Sequence, residues 1–145
     1  MSGLSDMGSA TPRPEIHSTV TIGHLYSRDM HDRELTYTSL EGPAEDQLIL
    51  QLDGPVTLSN LFGFQDVLRS LKPSTLIIDL TNVPYMDSAG LGLILNYYVS
   101  AEKAQRQLVL VGVSERIMTL FEVTKVNTVL TIFPTLEAFE NSISH

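Results

Sequence analysis

An α/β fold built on a largely parallel sheet is what this sequence predicts, and three observations carry that reading. Two short runs, Leu76-Ile77-Ile78 with Leu80 and Leu108-Val109-Leu110-Val111, are apolar almost throughout, as strands covered on both faces are. Around them lie longer stretches of helical length and composition, over 59–71 and 88–104. Gly and Pro punctuate the joins at Gly54-Pro55 and Pro73. Strands alternating with helices imply parallel neighbours joined by crossovers, each of them right-handed.

The elements follow in order. Residues 1–33 are rich in Ser, Gly, Pro, Thr and His and poor in large apolar side chains, which predicts a flexible arm with at most one short strand within 16–26. His17, His24 and His31 recur every seventh residue, but no carboxylate or thiolate accompanies them at ligand spacing, so they read as solvated side chains. Residues 34–145 form the folded domain. A strand is expected over 35–40, a turn at Glu41-Gly42-Pro43, and a second strand over 47–52 with Leu48, Leu50 and Leu52 on one face and Ile49 on the other. Ser59 is placed to cap a helix running to Leu71, with Leu61, Phe62, Phe64, Val67, Leu68 and Leu71 along its buried side. A central strand over 76–80 leads through a loop into the helix over 88–104. Residues 107–113 are a strand, and Ser114 caps a helix to about 124 with Glu115 in its first turn. A last strand over 129–133 and a helix over 135–144 complete the order β-β-α-β-α-β-α-β-α. The opening hairpin adds an antiparallel edge, and sites in such sheets gather at the carboxyl ends of strands.

Composition narrows the function. The chain has 145 residues and no cysteine, which excludes disulfides, thiolate metal sites and cysteine nucleophiles. Its net charge is −8 and its nine basic residues are scattered, a poor match to nucleic-acid phosphates; the acidity reads as solubility or as steering toward a basic partner. No stretch approaches the roughly 20 apolar residues of a membrane helix. The first residues lack the basic and apolar regions of a signal peptide. The expectation is a cytoplasmic protein that contacts neither membrane nor nucleic acid directly and needs no cofactor.

The informative stretch is Pro84-Tyr85-Met86-Asp87-Ser88-Ala89-Gly90-Leu91-Gly92, which joins the central strand to a helix. Asp87 or Ser88 can accept from the first free backbone N–H groups. Ala89, Gly90 and Gly92 keep the surface low and allow a close approach. Two glycines in the first turns of a helix cost about 1 kcal/mol each against alanine, which calls for a reason in packing or docking. A dinucleotide fingerprint fails because its third glycine would fall at Leu95. A nucleophile elbow fails at Met86, and no histidine lies in a strand-end loop. Two readings remain open: Ser88 as a plain capping serine, and Ser88 as a phosphoacceptor whose phosphate the helix start tolerates while the added charge acts on whatever docks there.

At these residues the sequence resembles the STAS family, specifically the bacterial anti-sigma factor antagonists. The resemblance covers about residues 47–143. It rests on Leu76-Ile77-Ile78-Asp79-Leu80 followed by Met86-Asp87-Ser88-Ala89-Gly90-Leu91-Gly92, and on Leu120-Phe121-Glu122-Val123-Thr124. It implies a STAS-like mixed, mostly parallel sheet of about five strands with four helices. It also implies a non-catalytic partner switch. An anti-sigma factor with serine kinase activity would bind the unphosphorylated form, phosphorylate Ser88 and be released, and a phosphatase acting on phospho-Ser88 would reset the switch. Asp87, Ala89, Gly90, Leu91, Gly92, Met86 and Thr57 are the implied partner-binding residues, although Met86 and Leu91 suit buried packing equally well. One departure stands out: Thr57 occupies the position of a family aspartate. A ligand- or nucleotide-binding or scaffolding STAS module, without phosphorylation of Ser88, is the alternative.

Overall fold

The computed structural model describes residues 20–22 and 34–143. Among the described residues six strands form one sheet in the order β1-β2-β3-β4-β5-β6. They are β1 (Val20–Ile22), β2 (Leu35–Glu41), β3 (Gln47–Asp53), β4 (Thr75–Asn82), β5 (Gln107–Val111) and β6 (Thr131–Phe133). The first three strands pair antiparallel and the rest parallel. Helices α1 (Leu61–Ser70), α2 (Ser88–Lys103) and α3 (Glu115–Val123) connect the parallel strands, and α4 (Leu136–Ile143) follows β6.

The expected hairpin is present as β2 and β3. Strand β1 lies within 16–26, where the arm was allowed one short strand beside the five of the domain. The flexibility expected of that arm and the state of His17, His24 and His31 fall outside the described residues.

Side-chain alternation sorts the core into two layers. Leu50 and Leu52 of β3, Leu76, Ile78 and Leu80 of β4, and Leu108 and Leu110 of β5 share one cluster with Phe64, Ile94 and Phe121 from α1, α2 and α3. Ile49, Ile77, Val109 and Val111 point the other way, onto Phe139 of α4. The period of two thus places three helices on one face and α4 on the other. Strand β4 lies between β3 and β5, and the fully buried Leu76, Ile77 and Ile78 explain its apolar run.

Two expectations fail locally. Helix α1 begins at Leu61, after a 3-10 turn over Leu58–Asn60, and the Ser59 hydroxyl pairs with Thr57 Oγ1 at 3.0 Å rather than capping a helix. Phe62 is therefore not on the buried side: it is 71% exposed. Phe64 and Leu68 are the buried residues of α1, and a residue two positions from Phe64 points to the opposite side of a helix. The predicted strand over 129–133 is also shorter, because the N–H groups of Val129 and Leu130 both bond to the Val126 carbonyl at 2.9 Å and close a turn.

Candidate functional site

The loop after β4 is tied to the loop after β3. A register shift between Gln51 and Asp53 ends the regular ladder, and Gly54, at φ +121°, donates to the Asn82 carbonyl at 3.1 Å. Pairing then resumes as an isolated parallel bridge between Val56 and Met86. The Val56 N–H donates to the Tyr85 carbonyl and the Asp87 N–H to the Val56 carbonyl, both at 3.1 Å. The start of α2 is thereby held beside Thr57 and Leu58, about thirty positions earlier in the chain.

Asp87 completes the junction. Its Oδ1 accepts from the Gly90 N–H at 3.0 Å and caps α2. Its Oδ2 accepts from the Leu58 N–H at 3.0 Å, at the start of the 3-10 turn before α1. One carboxylate thus serves the first turns of two helices, where backbone donors lack partners and negative charge is favoured. The capping role left open between Asp87 and Ser88 belongs to Asp87.

Ser88 is the first residue of α2 and is exposed. The Gly90 N–H bonds Asp87 Oδ1 and the Leu91 N–H bonds the Asp87 carbonyl at 3.0 Å. The N–H groups of Ser88 and Ala89 have no carbonyl within the helix to bond, so the hydroxyl sits at a helix start that suits an anion.

The two glycines differ. A Cβ on Gly90 would lie 2.7 Å from both Cγ1 and the carbonyl oxygen of Val56, so Gly90 is required for α2 to seat against that loop. A Cβ on Gly92 would meet nothing within 4 Å. Gly90 answers to packing inside the domain, whereas Gly92 leaves bare surface.

Among the partner-contact candidates, Asp87, Ala89, Gly92 and Thr57 are partly exposed. Met86 and Leu91 are 7% and 4% exposed, and Gly90 is buried with them. These three shape the surface from beneath, since their own surface is taken up by the core cluster and Val56.

Three neighbours escaped the sequence reading. Leu58, which bonds Asp87 through its backbone, is 61% exposed, and Phe62 lies one helical turn further on. Together they put two large apolar side chains in water on the segment joined to Asp87. The Arg116 guanidinium of α3 lies over the Tyr85 ring, 5.1 Å from its centroid, and braces the loop before Ser88. Phe62 was findable from its spacing to Phe64; the Tyr85–Arg116 pair left no local signal.

Other chemistry near Ser88 is accounted for. Asp79 Oδ1 accepts from the backbone N–H and the hydroxyl of Thr81, at 3.0 and 2.6 Å, and closes the end of β4. Among the described residues there is no histidine and no group of three potential metal ligands. No helix among them is long and apolar enough to cross a membrane.

Comparison with known proteins gives a consistent set of likenesses. The STAS domain profile matches residues 37–139. An anti-sigma-B factor antagonist of Listeria monocytogenes is 46% identical over 55 residues, 38% of this chain and 48% of that protein. The matched segment therefore spans about half the length of that relative. An anti-sigma-B factor antagonist of Staphylococcus aureus is 37% identical over 90 residues, covering 59% of this chain and 83% of that protein. The Bacillus cell fate determinant SpoIIAA, solved in its phosphorylated form, superposes with a TM-score of 0.57 at 16% identity, over 73% of this chain and 98% of that one.

Proposed function

The chain belongs to the STAS-domain family, and from that premise we propose that it is an anti-sigma factor antagonist, a non-catalytic switch operated through Ser88. The observation that carries this reading is the position of Ser88: exposed, first in α2, and beside a carboxylate that locks two helix starts together. In the unphosphorylated state a docking surface forms around Ser88 from Ala89, the bare backbone at Gly92, Thr57, and the exposed Leu58 and Phe62. Its partner is an anti-sigma factor with serine kinase activity, met in the cytoplasm.

The chemistry of the switch follows. The Ser88 Oγ attacks the γ-phosphorus of an ATP held by the partner kinase. The hydroxyl proton goes to a base on that kinase, the new Oγ–P bond forms, and ADP leaves with the broken P–O bond. The product carries about −1.5 to −2 of added charge beside the Asp87 carboxylate. The N–H groups of Ser88 and Ala89 accommodate that charge in the free protein, so the fold survives. A docked partner would have to bury it. Turning a nearly full complex into a nearly empty one takes a differential affinity of about 10⁴, or about 5.5 kcal/mol. Loss of apolar contact together with desolvation of a dianion is of that order. A phosphatase acting on phospho-Ser88 restores binding. The phosphorylated form solved for SpoIIAA, which shares this fold, is a precedent for such a state.

The test is a pair of substitutions. Ser88→Ala should retain a kinase partner that it can no longer be phosphorylated by, and Ser88→Asp should fold normally and release that partner. Equal binding by both would remove the switch. One observation favours the second reading, a ligand-binding or scaffolding module: Thr57 offers a hydroxyl already paired with Ser59 where the resemblance leads one to expect a carboxylate. That module would keep its assembly in both variants.

A further inference from the structure

A cleft of about 210 Å³ lies between α1 and α2, and its lining runs against the charge of the chain. The net charge is −8, yet three of the nine Lys and Arg residues, Arg69, Lys72 and Arg106, line this one cleft. No Asp or Glu among the described residues lines it. Among the described residues none of the three cations is paired with a carboxylate; Lys72 Nζ donates to the Arg69 carbonyl at 3.2 Å and Arg106 Nη1 to the Tyr97 hydroxyl at 3.0 Å. In so acidic a protein, carboxylates would be the default neighbours of three basic side chains.

The cleft is also organised. The Tyr97 hydroxyl donates to the Leu71 carbonyl at 2.9 Å, and the Arg106 guanidinium lies over the Tyr97 ring at 5.4 Å from its centroid. That contact and the Nη1 hydrogen bond hold the guanidinium against Tyr97 and leave its other N–H donors for a ligand. Asn96 and Ser100, one turn apart on α2, add neutral donors, while Leu68 and Leu93 supply an apolar floor. Clefts with an apolar base and a few convergent polar groups are the usual form of small-ligand sites. Planar guanidinium donors suit phosphate oxygens in particular.

We propose that the cleft between α1 and α2 binds a small phosphate-bearing organic anion through Arg69, Lys72 and Arg106. The volume suits a phosphate with a short carbon chain rather than a whole nucleotide, since pockets for drug-sized ligands run to about 300–1,000 Å³. The site is separate from Ser88, and its ligand is a second input to the protein, whatever Ser88 does.

The test uses the full chain, with inorganic phosphate and glycerol 3-phosphate as probes, followed by NMR of backbone and side-chain N–H groups. Both probes should shift the signals of Asn96, Ser100 and Arg106, with glycerol 3-phosphate binding more tightly because its carbons reach Leu68 and Leu93. Affinity should fall as sodium chloride is raised. Arg69→Gln, which alters an exposed side chain, should weaken binding about tenfold, the loss of one charge-assisted contact. Arg106→Gln should do at least as much, and Lys125→Gln, outside the cleft, should change nothing. No shift at the cleft, or equal weakening by Lys125→Gln with shifts spread over all basic residues (an adventitious ion only), overturns the proposal.

Discussion

The carboxylate of Asp87 accepts a hydrogen bond from the backbone N–H of Leu58, 29 positions earlier in the chain, at 3.0 Å. Its other oxygen caps α2 through Gly90. This one side chain links the two helix starts beside Ser88, alongside the backbone bridge between Val56 and Met86. Asp87→Ala removes both acceptors and should cost about 2 kcal/mol, from roughly 1 kcal/mol for each lost cap. Asp87→Asn keeps one carbonyl oxygen and turns an amide N–H₂ toward the other donor, so it should fall between wild type and Asp87→Ala. Urea denaturation of the three proteins checks the ordering, and an Asp87→Ala as stable as wild type would contradict it.

Gly90 and Gly92 should respond oppositely to alanine. At Gly90 the new methyl group meets Val56 at 2.7 Å, so the gain in helix propensity is outweighed by overpacking, and stability should fall by about 1–2 kcal/mol. At Gly92 the methyl group points into open space, and stability should rise by about 0.5–1 kcal/mol. Gly92→Ala should nevertheless weaken partner binding, because the methyl group stands on the proposed docking surface. Thermal denaturation and partner titration on the same two variants separate a packing glycine from a docking one.

Leu58 and Phe62 should matter to binding and little to folding. Both side chains are mostly in water, and surface substitutions of this kind usually change stability by less than about 0.5 kcal/mol. Phe62→Ser and Leu58→Ser should leave the melting temperature nearly unchanged and weaken binding of the proposed anti-sigma partner about tenfold or more, as truncation of an apolar anchor does. Full affinity in the double variant would show that the partner docks elsewhere.

Tyr37 sets an alkaline limit. Its ring stacks on Phe64 at 6.0 Å between centroids, and its hydroxyl is buried with no hydrogen-bond partner among the described residues. Burial first, and the charge of Asp66 second, push the phenol well above its ordinary value of 10.0. Burial raises Tyr97 as well, opposed by Arg106. In the unfolded chain these phenols lose their protons near 10.0, while the folded protein keeps them. The folded state then holds more protons, so stability is complete below that pH and declines as the pH climbs past it. Tyr37→Phe should make the decline shallower. At neutral pH it should be neutral or stabilising by about 1 kcal/mol, since the lost hydroxyl was unsatisfied. Chemical denaturation from pH 7 to 11 reads both effects.

The parts of this fold that were legible are those governed by local periodicity. The alternation of Leu48, Ile49 and Leu50 assigned each side chain to its layer, and the apolar run at Leu76 marked a strand covered on both faces. The helix at Ser88 began where the cap residues indicated. Phe62 was misassigned because it was grouped with Phe64, from which two positions of helix turn it to the opposite side, and the cap falls at Asn60, one residue after the serine expected to supply it. What stayed hidden is tertiary. No local rule links Asp87 to Leu58, Tyr85 to Arg116, or Arg69 and Lys72 at the end of α1 to Arg106 after α2. Asp87 meets Leu58 because β3 and β4 are parallel neighbours, and the parallel pairing of β4 with β5 brings Tyr85 to Arg116 at one end of the strands and the segment before β4 near Arg106 at the other.

Intact-mass spectrometry of the protein isolated from its native cells, with fragmentation to place any modification, tests the central claim most directly. The account predicts a single added phosphate on Ser88 whose occupancy changes with growth conditions. A chain without phosphate in every condition, or with phosphate only at another residue, would contradict it.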